Sequence, residues 1–168
     1  MNLKFPAVKY FLCIALIAFF SCGRPVSAGV YTPSDKTATD VQISELKSEV
    51  LRLINEYRRE NGKSTLEDLN VVEQIADDHS EDMATGRVSF GHDGFENRNS
   101  RLKKQISTMN AMAENVAFGK LSASRVVDLW LKSSGHRKNI EGDYNATGIG
   151  IARASNGQLY FTQIFIKK

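Results

Sequence analysis

Two histidines and a glutamate stand out among the residues able to do chemistry. His92 lies in Phe90-Gly91-His92-Asp93-Gly94, His136 in Ser134-Gly135-His136-Arg137-Lys138-Asn139, and Glu114 midway, 22 residues from each. Flanking glycine lets the backbone turn sharply and brings a neighbouring side chain toward a cleft. Two imidazoles and a carboxylate are the ligand set of a metal site with an open fourth position, and neutral nitrogens with one anionic oxygen suit Zn²⁺. The same side chains also have purely structural uses. His92 can bond Asp93 within its turn, His136 can cap the end of a preceding helix at the negative end of its dipole, and Glu114 can pair with a surface lysine. Spacings this long guarantee no proximity, so both readings stand open at this point. His79 sits on the apolar face of a helix and reads as a core histidine with one hydrogen bond, outside the site.

Other motifs lack specificity. Gly62-Lys63-Ser64 has the end of a phosphate-binding loop, but Tyr57 occupies the position of its first glycine and no strand precedes it, so it reads as a surface turn. No Gly-x-Ser-x-Gly elbow marks an activated serine. Asn145-Ala146-Thr147 is a glycosylation sequon that reads better as a strand-leading turn.

The first 28 residues differ from the rest. Lys4 and Lys9 form a positive start, and Tyr10 to Phe20 is an apolar run shorter than the roughly 20 residues needed to span a bilayer. Residues 1–28 therefore read as a signal peptide with small residues at Val26-Ser27-Ala28. The alternative is a lipoprotein signal over 1–21, leaving Cys22 acylated and first. Either exit places the protein outside the cytoplasm, secreted or lipid-anchored at the cell envelope. Both cysteines, Cys13 and Cys22, fall in this leader, so the remainder has no disulfide, thiol nucleophile or Cys-held metal. From Gly29 onward 19 basic side chains meet 19 acidic ones, which argues against nucleic acid as a partner.

The elements that must position the candidate residues follow from periodicity. Residues 29–40 are small and polar without an apolar period and read as a flexible linker, leaving a single domain over 41–168. Ile43, Leu46, Val50, Leu53, Ile54 and Tyr57 recur at helical steps in a helix ending before Gly62. A second helix opens with Asn70 and Glu73 as a capping pair and carries Val72, Ile75, Ala76, His79 and Met83 on one face. A weaker one covers about 96–106, and Ser122 caps a helix holding Val126, Val127, Trp130 and Leu131. The period then changes: 147–152 and 159–166 alternate as strands around a turn at Ser155-Asn156-Gly157, and 114–118 is a third short strand. These predict an α+β fold with helices covering an antiparallel sheet.

Taken together, His79-Ser-Glu-Asp-Met83, Phe90-Gly-His92, Ala113-Glu114-Asn115-Val-Ala, Trp130-Leu-Lys-Ser133-Ser-Gly135-His136-Arg137-Lys138-Asn139-Ile140, Gly148-Ile-Gly150 and Tyr160-Phe-Thr-Gln163-Ile-Phe165 resemble the bacterial-type branch of the CAP superfamily. That superfamily is named for cysteine-rich secretory proteins, antigen 5 and pathogenesis-related class-one proteins. The resemblance covers about residues 43–166 and is most specific in the Gly-His-Arg-x-Asn-Ile segment after a tryptophan-bearing helix. It implies an α-β-α sandwich and a central cleft floored by two histidines and two glutamates, which bind a divalent ion in several members. His92, Glu114 and His136 match three of those positions. The fourth, three residues after the helix tryptophan, is Ser133, whose hydroxyl is a poor ligand, so ion affinity should be weak unless Glu81 or Glu141 substitutes. Without the disulfides frequent in eukaryotic members, packing of Trp130, Phe161 and Phe165 must hold the sandwich.

Members of the superfamily are linked to sterol or lipid binding, protease-like activity and cell-surface interactions, so the fold alone does not name the chemistry. The reading this supports is an exported, monomeric, non-enzymatic binding module. Its cleft takes an apolar small molecule or a cell-envelope polymer over His92, Glu114 and His136, with Ser133 beside them and a weak site for Zn²⁺ or another divalent cation. Membrane contact would come only through a lipid anchor. The alternative is a metal-assisted hydrolase: His92 and His136 hold the ion, Glu114 is a third ligand or general base, and Ser133 positions the water. A third reading makes the site vestigial and gives partner binding to the outer surface.

Overall fold

The computed structural model describes residues 33–168, with side chains described from Asp40 onward. The signal-peptide reading of 1–28, with its alternative at Cys22, lies outside the described residues.

Helix α1 (Pro33–Glu60) is longer than its apolar period predicts, reaching back into the 29–40 stretch read as a linker. Proline suits the first helical position, and once the amphipathic part has nucleated, extension through small polar residues costs little. Val50 and Ile54 are fully buried, with Leu46, Leu53 and Tyr57 packed around them. Gly62-Lys63-Ser64 is a turn after α1, in which Lys63 N donates to Arg58 O at 2.8 Å.

A two-residue strand, β1 (Glu67–Asp68), precedes helix α2 (Asn70–Ala84). Asn70 does not cap α2: the residue before it, Leu69, holds the cap position, and no side chain accepts a hydrogen bond there. The chain's entry is set instead by strand pairing, with Leu69 N donating to Thr147 O at 2.9 Å. Helix α3 (Phe95–Gln105), strand β2 (Ala111–Gly119) and helix α4 (Ala123–Lys132) follow, and Ser122 caps α4 as its sequence predicts, accepting from Arg125 N at 3.3 Å. A short helix α5 (Ser134–Ile140) then leads to β3 (Ala146–Arg153) and β4 (Leu159–Lys167). The β3–β4 turn closes through Ala154 N donating to Gln158 O at 2.8 Å, with Gly157 at φ 80°.

The sheet runs β1-β3-β4-β2. β3–β4 and β4–β2 pair antiparallel, as expected, whereas β1 adds a parallel edge to the start of β3. Two exposed acidic residues carry no apolar alternation, so β1 has no sequence signal.

Central strand β4 sorts its side chains by parity. Phe161 and Phe165 enter one core with Val50 and Ile54 of α1 and Val126, Val127 and Trp130 of α4. Ile164 and Ile166 enter a second core with Val72, Ile75 and Ala76 of α2 and Leu102 of α3. Helices thus cover both faces, giving the expected α-β-α sandwich, and Trp130, Phe161 and Phe165 are 1% exposed or less. The Gly148-x-Gly150 spacing is the contact surface for α2. A Cβ on Gly148 would lie 2.1 Å from Glu73 N, and one on Gly150 would lie 2.1 Å from Ala76 C. Glycine at these two positions lets the α2 backbone rest directly on β3.

Candidate functional site

Glu114 lies on β2, the edge strand next to β4. Ala113 and Ala117 face the α1–α4 core, so Glu114 and Val116 face the α2–α3 layer and Asn115 the α5 side. The edge carbonyls that β4 does not pair are taken up by side chains from the other layer. Trp130 Nε1 donates to Val116 O at 3.2 Å, and Asn139 Nδ2 donates to Glu114 O at 3.2 Å and to Asn115 Oδ1 at 2.9 Å. The tryptophan helix and α5, through Asn139, therefore close a sheet edge that would otherwise expose unpaired backbone.

Glu114 is 5% exposed and fully engaged. Arg98 of α3 donates to Oε2 through Nε and to Oε1 through Nη2, both at 2.7 Å. This is a bidentate pair, the strong form of such contacts. His92 Nδ1 donates to Oε1 at 2.9 Å, because a carboxylate engaged by arginine can only accept. The proton is thereby placed on Nδ1, and the Nε2 edge of an imidazole whose side chain is 51% exposed is left free toward solvent. The loop carrying His92 is held from beneath: Arg98 Nη1 donates to Asp93 O at 2.7 Å, and Gly94, which precedes α3, takes the left-handed φ of 78° that glycine tolerates.

His79 belongs to this network. Its Nε2 donates to Gly91 O at 2.9 Å, and Nδ1 accepts from Arg98 Nη1 at 3.2 Å. Since guanidinium only donates and a carbonyl only accepts, His79 is the neutral Nε2–H tautomer. Burial accordingly holds its pKa below the ordinary 6.5, with the charge of Arg98 adding to the effect.

His136 comes from the opposite layer, on α5. Burial lowers its pKa, with His92 adding to the effect. Arg58, 2% exposed, anchors the end of α5 by donating to Ile140 O at 2.6 Å, to Gly142 O at 3.0 Å and to Tyr144 O at 3.0 Å. Gly135 lies within α5 at an ordinary helical φ, not at a sharp turn, so only the glycines beside His92 play the expected part.

The structure thus joins His92 to Glu114 and adds Arg98 and His79, while His136 meets β2 through its backbone carbonyl, which accepts from Asn115 Nδ2 at 3.1 Å. Ser133 stands apart from the carboxylate network, at the α4–α5 junction. Its N donates to Leu129 O and Trp130 O at 3.2 Å, and its hydroxyl makes no cap bond. Neither proposed substitute glutamate joins the cluster: Glu141 accepts from Tyr57 Oη at 2.6 Å, and Glu81 lies 3.4 Å from Arg87. The residues do not fit the metal site that the resemblance implies. Among the described residues no three His, Cys, Asp or Glu side chains are grouped as a ligand set. Both Glu114 oxygens already face a fixed guanidinium, which opposes a second cation. The simple alternatives for these residues also give way: His92 bonds Glu114 and not Asp93, and Glu114 pairs with a buried arginine and not a surface lysine.

An α-β-α sandwich of this kind is the fold of a CAP domain. Residues 51–165 match the sequence profile of the Cysteine-rich secretory protein family, and the chain belongs to that family. It is 31% identical over 138 residues to the membrane protein YlbC of Bacillus subtilis, covering 80% of this chain and 38% of that protein. Protein YkwD of the same organism is 29% identical over 134 residues, covering 79% of this chain and 51% of that protein. The chain therefore spans about half or less of these relatives' length. Among solved structures, an extracellular protein containing an SCP domain from Bacillus anthracis superimposes with a TM-score of 0.66 at 24% identity, covering 84% of this chain and 45% of that one. A cysteine-rich secretory protein from Staphylococcus aureus gives 0.64 at 23%, over 76% and 40%. An outer surface protein from Borrelia burgdorferi gives 0.62 at 22%, over 74% and 93%. These likenesses show a shared fold. No helix among the described residues is long and apolar enough to cross a membrane.

Proposed function

We propose that the chain is an exported, monomeric, non-enzymatic binding module whose cleft at the β2 edge takes an apolar small molecule or a cell-envelope polymer. One observation carries the reading: Arg98 holds both oxygens of Glu114 at 2.7 Å. The carboxylate that a hydrolase would use as metal ligand or general base is thereby committed to structure. What faces outward is His92, whose side chain is half exposed and whose hydrogen bond goes to Glu114 and not to an activated nucleophile. Export is supported by the apolar leader and by relatives whose names place them at the outer surface or outside the cell.

The test is to dialyse the protein against Zn²⁺, measure the ion retained per chain, and challenge the protein with peptide and ester libraries. The expected outcome is no stoichiometric ion and no turnover. Hydrolysis that needs Zn²⁺ and disappears in His136→Ala would replace the binding module with the metal-assisted hydrolase.

A further inference from the structure

Three aromatic rings form a platform on the surface beside the His92 cleft. Phe90 and Phe118 are 46% and 47% exposed, an unusual state for phenyl groups in a domain that buries Phe161 and Phe165 completely. Their ring centroids lie 4.7 Å apart, and both rings meet Tyr160, Phe118 stacking on it at 5.7 Å and 20° and Phe90 tilting against it at 6.5 Å. Strand register sets the cluster, since Phe118 of β2 pairs directly with Tyr160 of β4. The turn carrying Phe90 brings the third ring across.

The platform is continuous with the cleft along two routes. Phe90 is two residues before His92. Phe118 shares the face of β2 with Glu114, four residues along, which places the rings about 13 Å from the carboxylate. At the carboxylate end Arg98 and Glu114 neutralise each other. Arg87, on the segment leading to Phe90, is likewise neutralised by Asp82 at 2.6 Å and Glu81 at 3.4 Å. Flat aromatic faces, the half-exposed imidazole of His92 and the hydroxyl-bearing Tyr160 ring match a molecule with alternating apolar faces and hydroxyl rims. That combination describes linked pyranose rings. A lipid headgroup would call for uncompensated cations, and a sterol-like ligand for an enclosed apolar pocket.

We infer that Phe90, Phe118 and Tyr160 form a glycan-stacking subsite that extends the His92–His136 cleft, so that the ligand is an oligosaccharide segment of a polymer lying along the β2 edge. This rests on the binding-module reading and specifies its ligand class.

The test uses the full chain with two soluble β-linked probes, chitotetraose and cellotetraose, followed by calorimetry. At least one probe is expected to bind saturably. Phe118→Thr and Phe90→Ser should each weaken it by about tenfold, the value of one aromatic contact, with far-UV circular dichroism and thermal midpoint unchanged. His92→Ala reports on the cleft separately. If both Phe variants bind like the parent while His92→Ala does not, the subsite is overturned and the cleft reading survives. If the Phe variants lose binding and His92→Ala keeps it, the subsite stands and the cleft reading fails. Absence of binding to both probes overturns the inference. So does attachment to phosphatidylglycerol vesicles, but to neither probe, that the same Phe variants abolish.

Discussion

Replacing Arg98 by methionine removes the positive half of the buried pair while keeping a side chain of similar reach beside Leu102. Arg98 and Glu114 side chains are 7% and 1% exposed, so solvent does little to screen what is left. The variant strands a carboxylate with His92 as its remaining hydrogen-bond partner in the network, and frees Asp93 O and His79 Nδ1. Removing one partner of such a pair costs about 3–5 kcal/mol. With a urea m-value of about 2 kcal/mol/M, the midpoint should fall by about 2 M at pH 7. A second signature separates stranded charge from lost packing. Adding Glu114→Leu should recover most of the loss, because an apolar replacement leaves no buried charge. A single variant within about 1 kcal/mol of the parent at pH 7, or a penalty indifferent to the second substitution, would refute the account of the site.

Gly150→Ala places a methyl 2.1 Å from Ala76 C and 2.2 Å from its carbonyl oxygen. Lifting α2 off β3 should cost about 3 kcal/mol and lower the calorimetric midpoint by about 10 °C. Trp130→Phe removes the donor to Val116 O and should destabilise by about 2 kcal/mol in urea melts, part of it from an unpaired edge carbonyl; a neutral result would mean that water replaces the indole. Burial holds His79 and His136 below the ordinary 6.5, so the unfolded chain binds more protons just under that pH. Their contribution is complete above about 6.5 and is lost as pH falls through the folded values. Stability should therefore decline from pH 7 to 5, and less steeply in His79→Gln; an equal slope in both proteins would count against the neutral tautomer assigned to His79.

The fold was legible because its signals are local. Helical spacing in 43–57, the serine before α4 and the alternation of β4 each act within a few residues, and all three reappear in the structure. The absent cap at Asn70 shows the limit of that logic, since Leu69 is fixed by a backbone bond to Thr147, far along the chain. The site was half legible for the same reason. His92, Glu114 and His136 are recognisable by type and by their glycine-rich or apolar settings, but what occupies the carboxylate is decided by a contact between α3 and β2. Arg98 did leave a trace. It stands one helical turn before Leu102, the one apolar residue buried in α3, and so on the buried face. Arginine does not give up its proton in proteins. One placed on a core-facing stripe must find an acceptor that is buried as well, and Glu114, an acid within an apolar strand, poses the same problem with the opposite sign. Each is costly alone and tolerable only with the other. Two such misfits in one small domain are therefore better paired with each other before a metal ion is invoked to satisfy either.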